Sequence, residues 1–200
     1  MKLTIVTFLL FGFISANSQS DSISDSRPWY IIDHAKVQFA GEIGFISLGL
    51  GYSIFKKKNG ELDLFLGYLP ESIGGDNIVT IAGKFHYFPW KKDVFKNKYK
   101  LEPLTLGVNV YHAFTKILNA QKNQDLYPAG YYWWTIGTRF GPFFGSRITK
   151  EFNQKSFIRS LTFYYEIGTN DLYIYSWGVN RNSVPLHKVW NTSLGLKFGF

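Results

Sequence analysis

Trp190-Asn191-Thr192-Ser193-Leu194-Gly195-Leu196-Lys197-Phe198-Gly199-Phe200 decides the fold. Every second residue from Trp190 is apolar except Thr192, and the residues between are polar or small. Two-residue alternation describes a strand with one apolar and one polar face. The pattern recurs upstream. Leu62, Leu64, Leu66 and Tyr68 alternate with Asp63, Phe65 and Gly67. Val79, Ile81, Phe85 and Tyr87 alternate with Thr80, Ala82, Lys84 and His86. Leu161, Phe163, Tyr165 and Ile167 alternate with Ser160, Thr162, Tyr164 and Glu166. Eight strand-like segments follow: residues 30–40, 42–55, 61–69, 78–88, 104–114, 131–141, 157–168 and the stretch after His187. Gly41 marks the first turn and Asn59-Gly60 reads as a two-residue hairpin. Pro70–Asn77, 115–130 and 169–187 read as loops, and 91–100 and 142–155 as further connections. The expected fold is all-β: an eight-stranded, antiparallel, up-and-down barrel.

Composition fits a membrane barrel, although a soluble sandwich would also alternate and composition alone does not decide between them. Lys2, the apolar run Leu3–Ile14 and the small residues Ser15-Ala16-Asn17-Ser18 spell a secretory signal peptide over residues 1–18. A short disordered segment is expected over 19–28 and the barrel over 29–200. The chain has no cysteine, so neither a disulfide framework nor a lipid anchor on cysteine is available. After the signal no apolar run is long enough for a helical span. Aromatics nevertheless make up 19% of the residues, as expected where one face of every strand meets lipid. Strands of roughly 9–11 residues fit a tilted span. Trp29, Tyr30, Phe88, Trp90 and Phe200 would form one aromatic belt, and Tyr68, Tyr111, Tyr131–Trp134 and Trp190 the other. The net charge of +8 collects in Lys56-Lys57-Lys58 and 91–100, suiting anionic head groups or lipopolysaccharide phosphates better than nucleic acid.

Eight strands leave an interior just wide enough for side chains. Inward parity selects Lys36, Gln38, Asp63, Lys84, His86, Asn109, Arg139, Thr162, Glu166, Asn191 and Lys197. Charges withdrawn from water need partners. Glu166 and Asp63 are therefore expected to neutralise some of Lys84, Arg139 and Lys197. His34 and His86 read as interior residues, His187 as solvated, and His112 as outward-facing near the rim. No metal-ligand spacing and no phosphate-binding glycine loop are visible, so no metal and no cofactor is expected.

A terminal aromatic on an alternating strand resembles the closing strand of Gram-negative outer-membrane barrels. Gly130-Tyr131-Tyr132-Trp133-Trp134 and Tyr165-Glu166-Ile167-Gly168-Thr169-Asn170-Asp171-Leu172-Tyr173 resemble small outer-membrane barrel proteins without assigned activity. That resemblance implies architecture and an outer-membrane location. The leading functional expectation is a structural or partner-binding role, as an accessory of an envelope complex. Its partners would be outer-membrane lipids, lipopolysaccharide or an envelope protein. Tyr173, Tyr175 and Trp177 would be outer-loop contacts. The alternative is an acyl-modifying enzyme of the outer leaflet with His112 as base and Thr115 and Asp171 as candidate partners. Lipid A deacylases carry His-x-Ser-Asn, whereas Tyr111-His112-Ala113-Phe114-Thr115 puts Phe114 at the serine position. The sequence therefore favours a protein that is not an enzyme.

Overall fold

The computed structural model describes residues 31–55, 58–95, 98–115, 137–152, 157–181 and 185–200. The expected signal peptide, the 19–28 segment and the Tyr131–Trp134 aromatics lie outside them. The strands are β1 (His34–Ala40), β2 (Ile46–Ile54), β3 (Gly60–Leu69), β4 (Ile78–Tyr87), β5 (Lys92–Val94), β6 (Tyr99–Phe114), β7 (Thr138–Glu151), β8 (Ser160–Gly168) and β9 (Asn191–Gly199). Every pairing is antiparallel. β1 pairs with both β2 and β9, and β4 with β6, so eight strands close into a barrel. The short β5 stands outside this ring and pairs only with the start of β6. His34 opposite Gly199 puts the first and last strand ends at one end of the barrel, called here the terminal end.

Polarity is the reverse of a water-soluble barrel. Outward-facing Leu48, Leu50, Leu64, Leu66, Val108 and Leu196 are between 40% and 62% exposed. Inward-facing His34, Lys36, Glu61, Asp63, Lys84 and Glu166 are at most 4% exposed. The alternation in sequence thus puts apolar side chains outside and ionisable ones inside.

Five expectations are corrected. Asn59-Gly60 does not form a two-residue turn. Gly60 opens β3 opposite Ile54, and the connection spans residues 55–59. The Phe55 ring lies where a Cβ on Gly60 would project, so glycine is needed there for packing rather than for turn chemistry. The fifth expected strand begins earlier, at Tyr99, and 91–100 is largely a hairpin of β5 and β6. A bulge between Glu102 and Thr105 accommodates Pro103 and brings both flanking side chains inward, which strict alternation forbids. The sixth expected strand runs past its expected end: residues 142–151, expected as a connection, lie within β7, while 131–136 lie outside the described residues. Pro142 fits in the wall because its ring faces outward and its carbonyl accepts Thr169 N–H at 3.1 Å. Finally, both the 70–77 and 169–187 loops contain helix. The first carries one turn, α1 (Glu71–Gly74), and the second carries α2 (Asp171–Val179), capped by Asn170, whose side chain accepts Tyr173 N–H. Tyr173, Tyr175 and Trp177, two apart in sequence, therefore spread around a helix instead of lining one face.

The end opposite the termini is closed from within. The β1–β2 turn folds back so that Ile43 is 1% exposed and packs with Phe65, Ala82 and Tyr111. A Cβ on Gly67 would sit 1.8 Å from the Ile43 carbonyl oxygen, so the wall must be glycine where the turn presses on it. Gly44 makes the return with φ 140°, and Phe45 N–H donates to the Tyr68 carbonyl at 2.9 Å.

Candidate functional site

The interior toward the terminal end holds a continuous ionic lattice. Inward positions of β1, β3, β4, β6, β7, β8 and β9 each contribute to it. Glu61 on β3 is its hub. It meets Lys36 of β1 at 2.8 Å, Arg147 of β7 at 2.7 Å, and Lys197 of β9. Arg147 also binds Glu102 of β6 through Nε and Nη2, and its guanidinium lies 3.3 Å from the centre of the Phe88 ring. A planar fork with several donors suits such a shared position.

One layer higher, Asp63 accepts Lys36 Nζ at 2.8 Å and His34 Nε2 at 2.6 Å. His86 spans two carboxylates. Its Nε2 meets Glu166 Oε1 at 2.9 Å, and its Nδ1 lies 2.9 Å from Asp63 Oδ2 at ion-pair distance but without hydrogen-bond alignment. Lys84 Nζ donates to Glu166 at 2.6 Å and Gln38 Oε1 at 2.8 Å, with the Phe65 and Phe143 rings about it. Four carboxylates (Glu61, Asp63, Glu102, Glu166) thus meet four basic side chains (Lys36, Lys84, Arg147, Lys197) across the lumen. Arg147–Glu102 links the paired strands β6 and β7, whereas the ties of Glu61 to Lys36, Arg147 and Lys197 and of Lys84 to Glu166 join strands that are not neighbours in the sheet.

His34, Glu61 and Asp63 bring candidate ligand atoms within 4.8 Å of one another. The Lys36 ammonium, bonded to both carboxylates, already fills the cation position between them. A cavity of about 10 Å³ beside Lys36, His86, Arg147, Tyr164 and Glu166 is room for roughly one water molecule. This arrangement can hold charge and fix the barrel wall. Among the described residues, the cavity beside the lattice is too small for an organic ligand.

At the opposite mouth the chemistry changes. Glu42, in the β1–β2 turn, accepts Asn109 Nδ2 at 2.9 Å and Asn191 Nδ2 at 3.4 Å. Burial pushes its carboxyl above the ordinary range, with these amides and Lys84 partly opposing the shift. Asn170 donates to the Tyr111 hydroxyl at 3.0 Å beside it.

Of the residues expected to form the interior network, Lys36, Asp63, Lys84, His86, Glu166 and Lys197 lie in the lattice. Arg139 does not: it lies toward the mouth and donates to the Thr138 carbonyl at 2.9 Å. Glu61, Glu102 and Arg147 were not expected. Glu61 shares the parity of Asp63, a signal masked by reading Asn59-Gly60 as the turn. Arg147 fell in the supposed connection after Pro142.

His112, Thr115 and Asp171 are each engaged elsewhere. His112 Nδ1 meets Thr138 Oγ1 at 2.7 Å on the outer face, Thr115 donates to Asp76 at 2.5 Å, and Asp171 accepts Phe140 N–H at 3.4 Å. They do not assemble into a base, nucleophile and acid. No protein-family model, curated protein or solved structure matches this chain.

Proposed function

We propose that this chain is an integral outer-membrane β-barrel with a structural or partner-binding role. The observation that carries the reading is the reversed polarity: an exposed apolar band around a barrel whose buried interior is ionic. Water would penalise that band, whereas hydrocarbon favours it. Tyr52 and Tyr87 toward the terminal end, and Tyr68 and Trp190 toward the mouth, border the band as amphipathic rings border a bilayer, whereas Phe88 and Tyr111, expected in those belts, are buried inside the barrel. An even strand number puts both strand ends on one side, which is the periplasmic side in this reading. The signal-like residues 1–18 agree with export.

The lumen is filled. The Lys84–Glu166 bridge, Phe65 and Phe143 occupy its middle, and Ile43 and Tyr111 its mouth. This supports a plugged barrel over a solute channel, and it moves any activity to the surfaces. Lys91, Lys92, Lys98 and Lys100 at the terminal end suit anionic head groups or an acidic envelope partner. The separate engagement of His112, Thr115 and Asp171 does not favour the acyl-modifying alternative.

Cell envelopes separated by density and washed with alkaline carbonate should retain the chain in the outer-membrane fraction. Its release would overturn the membrane reading. Lipid mass spectrometry of cells lacking or overproducing the protein should show unchanged acylation. A shift of one acyl chain would replace the binding role with an enzymatic one.

A further inference from the structure

Helix α2 is apolar on every side and buried on none. Leu172, Tyr173, Ile174, Tyr175, Trp177 and Val179 surround it, and no residue of the helix is buried. A helix apolar all round is normally covered by protein or by lipid. Its position indicates which. Strand β7 pairs with β6 from Thr138 upward, but its pairing with β8 reaches only Phe143. Among the described residues, no strand lies beside residues 138–142 on the β8 side of β7. The chain leaving β8 fills that gap: Thr169 N–H donates to Pro142 O, and Asp171 accepts Phe140 N–H. The first turn of α2 therefore stands in the barrel wall, in the place where β8 would have continued. Phe140 pairs with Val110, an exposed residue of the outward band. The start of α2 is thus level with that band. The Phe144–Trp190 ring pair (5.9 Å) extends the same apolar surface beside it, and Arg181 covers Trp177 at 4.9 Å beyond the last turn.

We infer that α2 docks into the lipid–water boundary of the membrane that the barrel spans, completing the outer wall with a helix in place of strand. The inference rests on the membrane-barrel reading above. Ile174 and Val179 meet acyl chains. Tyr173, Tyr175 and Trp177 place ring bodies in the apolar layer and their hydroxyl and indole N–H groups at head-group level, as such rings prefer. The Arg181 cation reaches the phosphate layer, its stem lying along the aromatic surface.

Because the chain lacks cysteine, single nitroxide labels can be placed without removing any residue first. Tyr175→Cys and Ile174→Cys test α2, Leu64→Cys marks the band, and Glu71→Cys marks the exposed α1. Labelled protein in phospholipid vesicles is probed by oxygen, which concentrates in lipid, and by a water-soluble nickel chelate. The ratio of oxygen to nickel collisions at Tyr175 and Ile174 should exceed that at Glu71 several-fold and approach that at Leu64. A water-like ratio on α2 with a lipid-like ratio at Leu64 would overturn the helix inference and leave the barrel reading standing. A water-like ratio at Leu64 would overturn both. Labels on α2 shielded from both reagents would assign the surface to a protein partner or a second copy instead.

Discussion

The two halves of the barrel interior are filled by opposite means. Toward the terminal end, four carboxylates meet four basic side chains, and hardly any group serves only one partner. Toward the mouth, the β1–β2 turn inserts Ile43 against Phe65, Ala82 and Tyr111, and the carboxyl group of Glu42 is met by amides. The first half gains its order from matched charge, which is unforgiving: removing one member leaves others buried and unpaired. The second gains it from shape and hydrophobic contact, and its cost of damage depends on how far the site can relax.

The sharpest way to break this contrast is Glu61→Ala. It leaves Lys197 without a carboxylate and takes one of two from Lys36 and Arg147, and should cost the ~3–5 kcal/mol of a broken buried pair. Urea unfolding in mild detergent, followed by tryptophan fluorescence, measures it. A loss near 1 kcal/mol would mean that the lattice is hydrated and loosely held. Next in size is Ile43→Ala, with an expected loss of about 2–5 kcal/mol for an aliphatic core truncation, read in the same titration. A negligible loss would show that the turn does not pack into the mouth.

The smallest effect is expected at Glu42. Its folded carboxyl holds its proton more tightly than the unfolded one, because burial disfavours the charge. Its contribution is fully present below the unfolded pKa and fades as pH rises through the raised folded value. Glu42→Gln should therefore match the parent under acid conditions and exceed it slightly at neutral pH, a difference resolved by paired melts across that window. A variant less stable at neutral pH would mean that the charged carboxylate is the form the amides hold.

The strand count and closure were legible because alternation is a local signal that survives any loop. Inward parity likewise found Lys36, Asp63, Lys84, His86 and Glu166. The sequence pattern misleads where the chain departs from strict alternation. Pro142 looked like a break, yet a proline whose ring faces outward at the end of a ladder is tolerated. Pro103 hid a bulge that turns Glu102 inward. Gly60 looked like a turn residue when its role is to make room for Phe55. The α2 segment was opaque for a different reason. Tyr173, Tyr175 and Trp177 alternate as a strand would, and only the Asn170 cap marks a helix start. Charge pairing across the lumen depends on which strands face each other, and no spacing in the sequence encodes that.

Glu61 also bears on how the barrel is assembled. Its three cations come from β1, β7 and β9, so its partners are complete only when the first and last strands are both in place. A sheet lacking the last strand exposes two open edges and a hub whose charges are incompletely matched. Sealing the seam between β9 and β1 joins the edges and brings Lys197 to Glu61 in one event. Closure and neutralisation are thereby coupled, which disfavours partially closed forms.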